Sequence, residues 1–431
     1  MYHKFISFYK FLIRIIELTF SKKIGFYSFG DFLKFSDILK IRHLLFNPSQ
    51  KVIYDFELIF QNMFNLHNCI AFASARMAFH SFLCAISISK DDEIIVTAGT
   101  CSVMINAIIR IGAKPVFLDI DPLTFGTSIS KLSTLISDRT RVIVVQHSFG
   151  IPCDIEKILE IARESNIYVV EDCALSLGSK VNGYTVGSLG DASIFSFDST
   201  KPIPIFIGGM ISIKSNDISI KVRAIQKSCS ELPNSKLFAI YNNFIYRFII
   251  NAIRCNSLLH VSYFVDFIKC KLFKSTGCYL NEDYLPINNT SGYSYPSKLP
   301  SFLAAIGIIW LSNWEEVSRR RQSNLSIFIE TLRNKRNVTL PGGYLDATKT
   351  IIPLRLIFYT SDSSVLDALK KEVDIFSFWF REPVICRELP LEAYGYISGS
   401  CPNIEAYGPL ICNFPVDMST QQFSKLLRKV F

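Results

Sequence analysis

GSLGDASIFSFDSTK, residues 187–201, decides how this chain is read. It opens on turn chemistry at Gly187 and Gly190–Asp191, passes through the β-rich run ASIFSF (192–197), and ends in a polar turn carrying Ser199, Thr200 and Lys201. Just upstream, VVEDCALSLGS (169–179) places Asp172 immediately past an apolar strand, and just downstream the glycine pair of GGM (208–210) permits a close backbone approach. Taken singly these features are ordinary. A carboxylate after a strand serves as a cap or turn residue, and a lysine there is a solvated surface charge. Together they place an acid and an amine at the ends of successive strands, facing one ligand crevice.

Working outward, EIIVTAG (93–99), KPVFLDI (114–120), RVIVVQHSFG (141–150) and IYVVEDCA (167–174) are short, β-branched runs that end in polar or glycine residues. Residues 102–112 and 154–165, between them, carry helical periodicity. Strand–helix–strand alternation predicts an α/β fold with a largely parallel sheet covered by helices, whose ligands sit at the carboxyl ends of the strands. After residue 300, SFLAAIGIIWLSNWEEVSRRRQSNLSIFIETLRN reads as one long helix, and short strands within 350–359 with a closing helix at 419–430 form a small α+β unit.

A chain of 431 residues, 49% hydrophobic and only 19% charged, is globular and large enough for one large domain and a smaller one. The net charge of +9 is spread out, and no basic patch interleaved with aromatics supports nucleic-acid binding. Twelve cysteines, scattered from Cys69 to Cys412 without a C-x-x-C or zinc-ligand spacing, read as reduced and mostly buried thiols, and no metal site is expected. The opening MYHKFISFYKFLIRIIELTF is apolar at near-helical spacing but broken by Lys10, Arg14 and Glu17, so it lacks the features of a signal peptide. Two readings of it stay open, a helix packed on the protein's own body and a helix lying on a membrane surface. Residues 216 to about 285 hold two more apolar, aromatic stretches, interrupted by Arg247, Asp266 and Lys269 and thus too broken to span a bilayer. The expected location is cytoplasmic, with a peripheral position at the inner face of the membrane as its variant.

Residues 55–215 resemble the DegT/DnrJ/EryC1/StrS family of sugar aminotransferases. The likeness runs in order through SARMAFHSFLCAI, DDEIIVTAGTC, INAIIRIGAKPVFLDIDPLTFG, VVQHSFGIPCDIEKILEIA, the 169–201 region and GGMISI, and continues more faintly through the C-terminal part. The resemblance implies fold type I of the pyridoxal-phosphate enzymes, with an N-terminal extension (1–50), a large cofactor-binding domain (51–290, with an apolar helical insertion at about 216–290) and a small C-terminal α+β domain (291–431). It implies that Lys201 is the Schiff-base lysine and proton shuttle, and that Asp172 pairs with the pyridine nitrogen. Ser196 would bind phosphate by its hydroxyl, while Ser74, Ala75 and Arg76 open a helix whose backbone donors face that phosphate. By ordinary turn chemistry Gly190 and Asp191 are turn residues, and His147 is read as structural.

Four positions depart from the family. Leu175 stands where a polar side chain is usual, Cys101 where an aromatic stacks on the ring, and GYSYP supplies Ser294 and Pro296 in place of the Asn and Arg of G-x-N-x-R. Ser294 retains a hydrogen-bonding hydroxyl, for the neighbouring subunit's phosphate by the family's pattern, whereas Pro296 cannot replace a guanidinium. Relatives that lost the lysine carry histidine and dehydrate, so retention of Lys201 argues for transamination. The implied activity is transfer of an amino group from an amino-acid donor, glutamate, to a nucleotide-linked keto-sugar in glycan biosynthesis, by a homodimer with shared sites. The alternative is a catalytically weakened relative acting as a membrane-surface or partner-binding component of a glycan assembly complex.

Overall fold

The computed structural model describes residues 24, 32–252, 280, 292–373, 375–387 and 389–431. The apolar N-terminal stretch MYHKFISFYKFLIRIIELTF and the segment LLHVSYFVDFIKCKLF lie outside the described residues.

Seven strands build the central sheet: β1 (Ile70–Phe72), β2 (Glu93–Thr97), β3 (Lys114–Leu118), β4 (Thr140–Gln146), β5 (Tyr168–Asp172), β6 (Ala192–Ser196) and β7 (Gly209–Ile213). Their order is β1-β7-β6-β5-β4-β2-β3. All neighbouring pairs are parallel except those made by β7, which runs antiparallel to both β1 and β6. Helices such as Ala75–Ala85 and Ile155–Glu164 connect and cover the strands, and β2 is buried at every position, which explains why the strands read as continuous Ile/Val runs rather than alternating ones.

One face of the sheet is sealed by aromatic packing. Phe60, on the helix Gln50–Phe64, meets Phe195 and Phe197 edge-on at 5.1 and 5.4 Å between ring centroids. Each such fully buried ring contributes about 2–3 kcal/mol through area removed from water, with roughly 1 kcal/mol more from edge-to-face geometry. The helix Phe35–Phe46 joins this body through Ile38, Ile41 and Leu45, which recur at three- and four-residue spacing and are buried.

The expected single helix after residue 300 is two helices, Ser301–Ser312 and Trp314–Leu332. The break falls at Asn313, whose side-chain Nδ2 donates to the Ile309 carbonyl at 2.7 Å while its backbone N–H turns back to the Trp310 carbonyl. An asparagine that bonds its own backbone in this way competes with the helical ladder. The first helix packs on Gln50–Phe64 and Phe35–Phe46, whereas the second packs with Thr420–Val430 beside an antiparallel pair, Leu356–Tyr359 with Ile411–Phe414. Arg321, fully buried, is held there by Asp417 at 2.9 Å and by the Pro353 and Leu354 carbonyls. The C-terminal part touches the large sheet's loops where Val384–Ile385 pairs in parallel with Thr100–Cys101.

Candidate active site

Strand register assembles the site. Gln146 at the end of β4 pairs with Asp172 at the end of β5, while Ser196 at the end of β6 pairs with Gly209 at the start of β7, which in turn pairs with Phe72 at the end of β1. One edge of the sheet therefore presents these side chains in a row, and the chain leaving β1 reaches Ser74 two residues later. A cavity of about 300 Å³ opens along this edge. Ser74, Ala75, Arg76, Asp172, Ser196 and Lys201 all line it, so the structure gathers six of the seven site residues expected from the sequence. Ser294 does not line the cavity of its own chain; it is exposed, and its carbonyl accepts from Ser297 Oγ.

The anion-binding end is built from backbone. Ser74 caps the helix Ala75–Ala85, its hydroxyl accepting from Met77 N–H at 3.3 Å, which leaves the helix N-terminus facing the cavity. Gly209 packs against this turn so closely that a Cβ there would lie 2.1 Å from Ala75 N. Only glycine allows the sheet to come this close, which is why the GGM pair follows β6. Arg76 turns its guanidinium to the Leu280 carbonyl at 2.8 Å.

The reactive end pairs opposite charges in a dry setting. Burial pushes the Asp172 carboxyl above the usual carboxylate range, opposed by the Ala174 N–H that donates to Oδ1 at 3.0 Å and by the charge of Lys201. Burial likewise lowers the Lys201 ammonium, against the pull of Asp198, Asp172 and Cys101. At neutral pH the amine is thus freer of its proton than a surface lysine, which suits a nucleophile and proton carrier.

Behind Asp172 lies His147, whose backbone N–H donates to the Asp172 carbonyl at 3.1 Å. Its Nδ1 accepts from Cys153 N–H at 3.1 Å, so Nε2 carries the proton toward Glu171 at 3.0 Å. Burial would raise Glu171, but His147 and the N–H groups of Gly187 and Gly190 outweigh it and hold the carboxyl down. These bonds account for the approach of His147 to Glu171, beside which the Cys173 thiol lies, and they also show what Gly187 and Gly190 do: their amides satisfy a buried carboxylate. Asp191 is a turn residue too, its carboxylate accepting from Val169 N–H at 2.8 Å.

The cavity is also lined by residues outside the set expected from the sequence to hold the cofactor. Cys101 and Leu175 face the cavity as expected from their positions, joined by Gln146, Trp379, Phe380 and Cys386. Gln146 had a signal, since it ends a strand as Asp172 does; its Nε2 donates to the Gly99 carbonyl at 3.2 Å and to Ser148 Oγ at 2.8 Å. Trp379 and Cys386 carry no local signal, and the C-terminal chain path alone brings them here. An aromatic does therefore line the cavity although position 101 is cysteine. Trp379 is in turn backed by Arg355, whose guanidinium stacks 4.1 Å from the ring centroid.

These residues fit pyridoxal 5′-phosphate: an amine and a carboxylate share one cavity, and a helix N-terminus is approached by a glycine that nothing larger can replace. The comparisons agree. An uncharacterized protein of Methanocaldococcus jannaschii is 27% identical over 355 residues, 81% of each chain. The GDP-perosamine synthase of Caulobacter vibrioides is 36% identical over 197 residues, covering 46% of this chain and 53% of that one, so the aligned stretch spans about half of the curated synthase. The aminotransferase structure from Psychrobacter cryohalolentis superimposes with a TM-score of 0.71 at 19% identity, over 94% of this chain and 98% of that one, and shares the fold. The cofactor of the site is pyridoxal phosphate. A family model matches residues 46–257 and 267–430, and on that match the chain belongs to the DegT/DnrJ/EryC1/StrS aminotransferase family.

Proposed function

We propose that this aminotransferase moves an amino group from glutamate to a nucleotide-linked keto-sugar destined for glycan synthesis. The observation that carries the reading is the convergence of Lys201 and Asp172 on one cavity with the helix N-terminus at Ser74. Bound there, pyridoxal phosphate supplies an electron sink and carries the amino group between the two substrates. Lys201, deprotonated more readily than a surface lysine, accepts the proton from the donor's Cα and returns one to the sugar carbon. Asp172, buried and lining the cavity with one oxygen taken by the Ala174 N–H, holds a cationic N–H such as a protonated pyridine nitrogen. Ser196 and the amides after Ser74 hold the phosphate, and the apolar wall of Leu175, Trp379 and Phe380 excludes water from the reacting carbon.

Absorption spectra of the purified protein test this. The wild type should show a band near the visible edge that bleaches with glutamate, and Lys201→Ala should show neither band nor bleaching. A wild type with no band after reconstitution with the cofactor sinks the reading.

Two finer points belong to the same proposal. A homodimer is supported by Ser294, exposed and away from its own cavity at the position that serves a neighbouring subunit in the resembling family; a monomeric mass in solution with full activity would reject it. Peripheral contact with an anionic membrane is supported by a second stripe on the helix Phe35–Phe46. There Phe35, Leu39 and Phe46 are exposed, Phe46 against the exposed ring of Phe238, with Lys34, Lys40, Arg42 and Lys51 close in sequence. Among the described residues no helix is long and apolar enough to cross a membrane. Failure to co-sediment with anionic vesicles would remove the membrane contact and leave the aminotransferase reading intact.

A further inference from the structure

Among the described residues, Cys101 and Cys386 are the two cysteines that line the cofactor cavity. They arrive from distant parts of the chain. Cys101 ends the short strand that leads into the helix Ser102–Arg110, and Cys386 follows the Val384–Ile385 strand paired with it. In that parallel pairing Ile385 stands opposite Cys101, which leaves Cys386 one residue beyond. Ser102 Oγ donates to the Cys386 carbonyl at 2.9 Å and pins the turn. Both thiols border Lys201, and each is close enough to shift the other's proton affinity. Cys386 is exposed and Cys101 partly so, whereas Cys69, Cys153, Cys173, Cys229, Cys401 and Cys412 are buried. Two thiols brought to one cavity by paired strands, each at least partly open to solvent and bordering the reactive lysine, are not explained by packing or by the amino-transfer chemistry.

We propose that Cys101 and Cys386 form a redox modification site, which a hydroperoxide oxidises to an intramolecular disulfide that closes off the cofactor cavity until a thiol reductant reopens it. Cys386 is the attacking sulfur. The hydrogen bond from Cys101, helped by Trp379 and by the positive charges of Lys201 and Arg355, holds its thiol down at about 7 against the effect of burial, so much of it is thiolate at neutral pH. In the first step the thiolate attacks one peroxide oxygen and the O–O bond breaks. This gives the sulfenic acid, and the leaving hydroxide (or alkoxide) takes up a proton. In the second, the Cys101 sulfur attacks the sulfenic sulfur, the S–O bond breaks, and the departing hydroxyl takes the Cys101 proton as water. Two thiols lose one electron each and the peroxide gains two. The bond ties the loop after β2 to the C-terminal segment bearing Trp379, across the cavity that Lys201 lines. The cross-link stands independently of the substrate reading, and its effect on the site rests on that reading.

Holoenzyme treated with a small excess of hydrogen peroxide, blocked with N-ethylmaleimide and digested without reduction tests the bond directly. The peptides carrying Cys101 and Cys386 should appear joined, and separate again after dithiothreitol. Glutamate-driven bleaching of the cofactor band should slow by about 10²-fold in the oxidised protein, the scale expected for a small misplacement of reacting groups, and recover with dithiothreitol. Cys101→Ser and Cys386→Ser should each lack the joined peptide, and their bleaching rates, whatever their starting values, should not change reversibly on oxidation. Recovery of both cysteines as maleimide adducts overturns the proposal, as does a joined pair whose bleaching rate is unchanged. An enzyme that forms the link but never bleaches with glutamate, oxidised or reduced, rejects the donor reading rather than the modification site.

Discussion

The two walls of the cavity differ in origin. On one side Asp172, Ser196 and Lys201 come from successive strands and the turn that follows them, spaced by the hydrogen-bond register of a single sheet. On the other, Cys101 and Leu175 come from loops that follow strands of the sheet, and Trp379, Phe380 and Cys386 from a C-terminal segment about 200 to 280 residues further along. The first wall keeps the groups that cofactor chemistry demands, and the second carries two of the four departures from the family, Cys101 and Leu175. A sheet edge admits little variation, because moving one residue by one position turns its side chain to the other face. A wall of loops tolerates replacement.

The comparison can be broken by removing pieces of either side. Lys201→Ala should have the largest effect, at least about 10⁴-fold on the amino-transfer rate measured by single-turnover absorbance, with the fold retained by circular dichroism. A smaller loss would show that another base serves the site. Asp172→Asn should come next, about 10³-fold, because the isosteric amide keeps the Ala174 N–H bond through its oxygen but loses the charge. Its cofactor band should persist, separating cofactor chemistry from cofactor binding. Gly209→Ala should act on binding instead: with no room for a Cβ beside Ala75 N, the cradle must open, and we expect cofactor affinity to drop by about 10–100-fold in dialysis, or about 1.4–3 kcal/mol. Unchanged affinity would place the phosphate elsewhere.

The loop wall gives the smallest and most specific signal. Alkylation of Cys386 by iodoacetamide should rise with pH through about 7 and then level off, since its thiol is held below the ordinary cysteine range and ionises there. Cys84, whose thiol burial pushes upward, serves as the internal reference and should respond only at higher pH. In Cys101→Ala the principal hydrogen bond to Cys386 is gone, so the Cys386 profile should move upward. A profile that stays in place would mean that Trp379 and the nearby cations alone set it.

Much of the first wall was legible along the chain, because each of its residues ends a recognisable strand or opens a helix. Asp172 follows YVVE, Ser196 closes ASIF, Lys201 ends the turn beyond, and Ser74 carries a helix-capping side chain at the right place. Gln146 obeyed the same rule and could have been chosen by it. The buried contact of His147 with Glu171 had no such marker; the two are 24 residues apart and meet because β4 and β5 lie side by side. The helix break at Asn313 was hidden as well, since the apolar periodicity continues across it and the deciding interaction is one side-chain bond.

By itself, then, the sequence determined the alternation of strands and helices, the polar residues that end the strands, and the glycine pair beside the cap. These are local consequences of side-chain shape, periodicity and backbone freedom, and any chain with them faces the same choices. Tertiary structure alone decided that Trp379 and Cys386 line one cavity with Lys201, that Cys101 shares it with a second thiol, and that Asp172 and Lys201 share an environment dry enough to move both toward neutrality. The reason is physical: contact between residues hundreds of positions apart, and the solvent exclusion that shifts their proton affinities, depend on how the whole core packs, and no short window of residues carries that information.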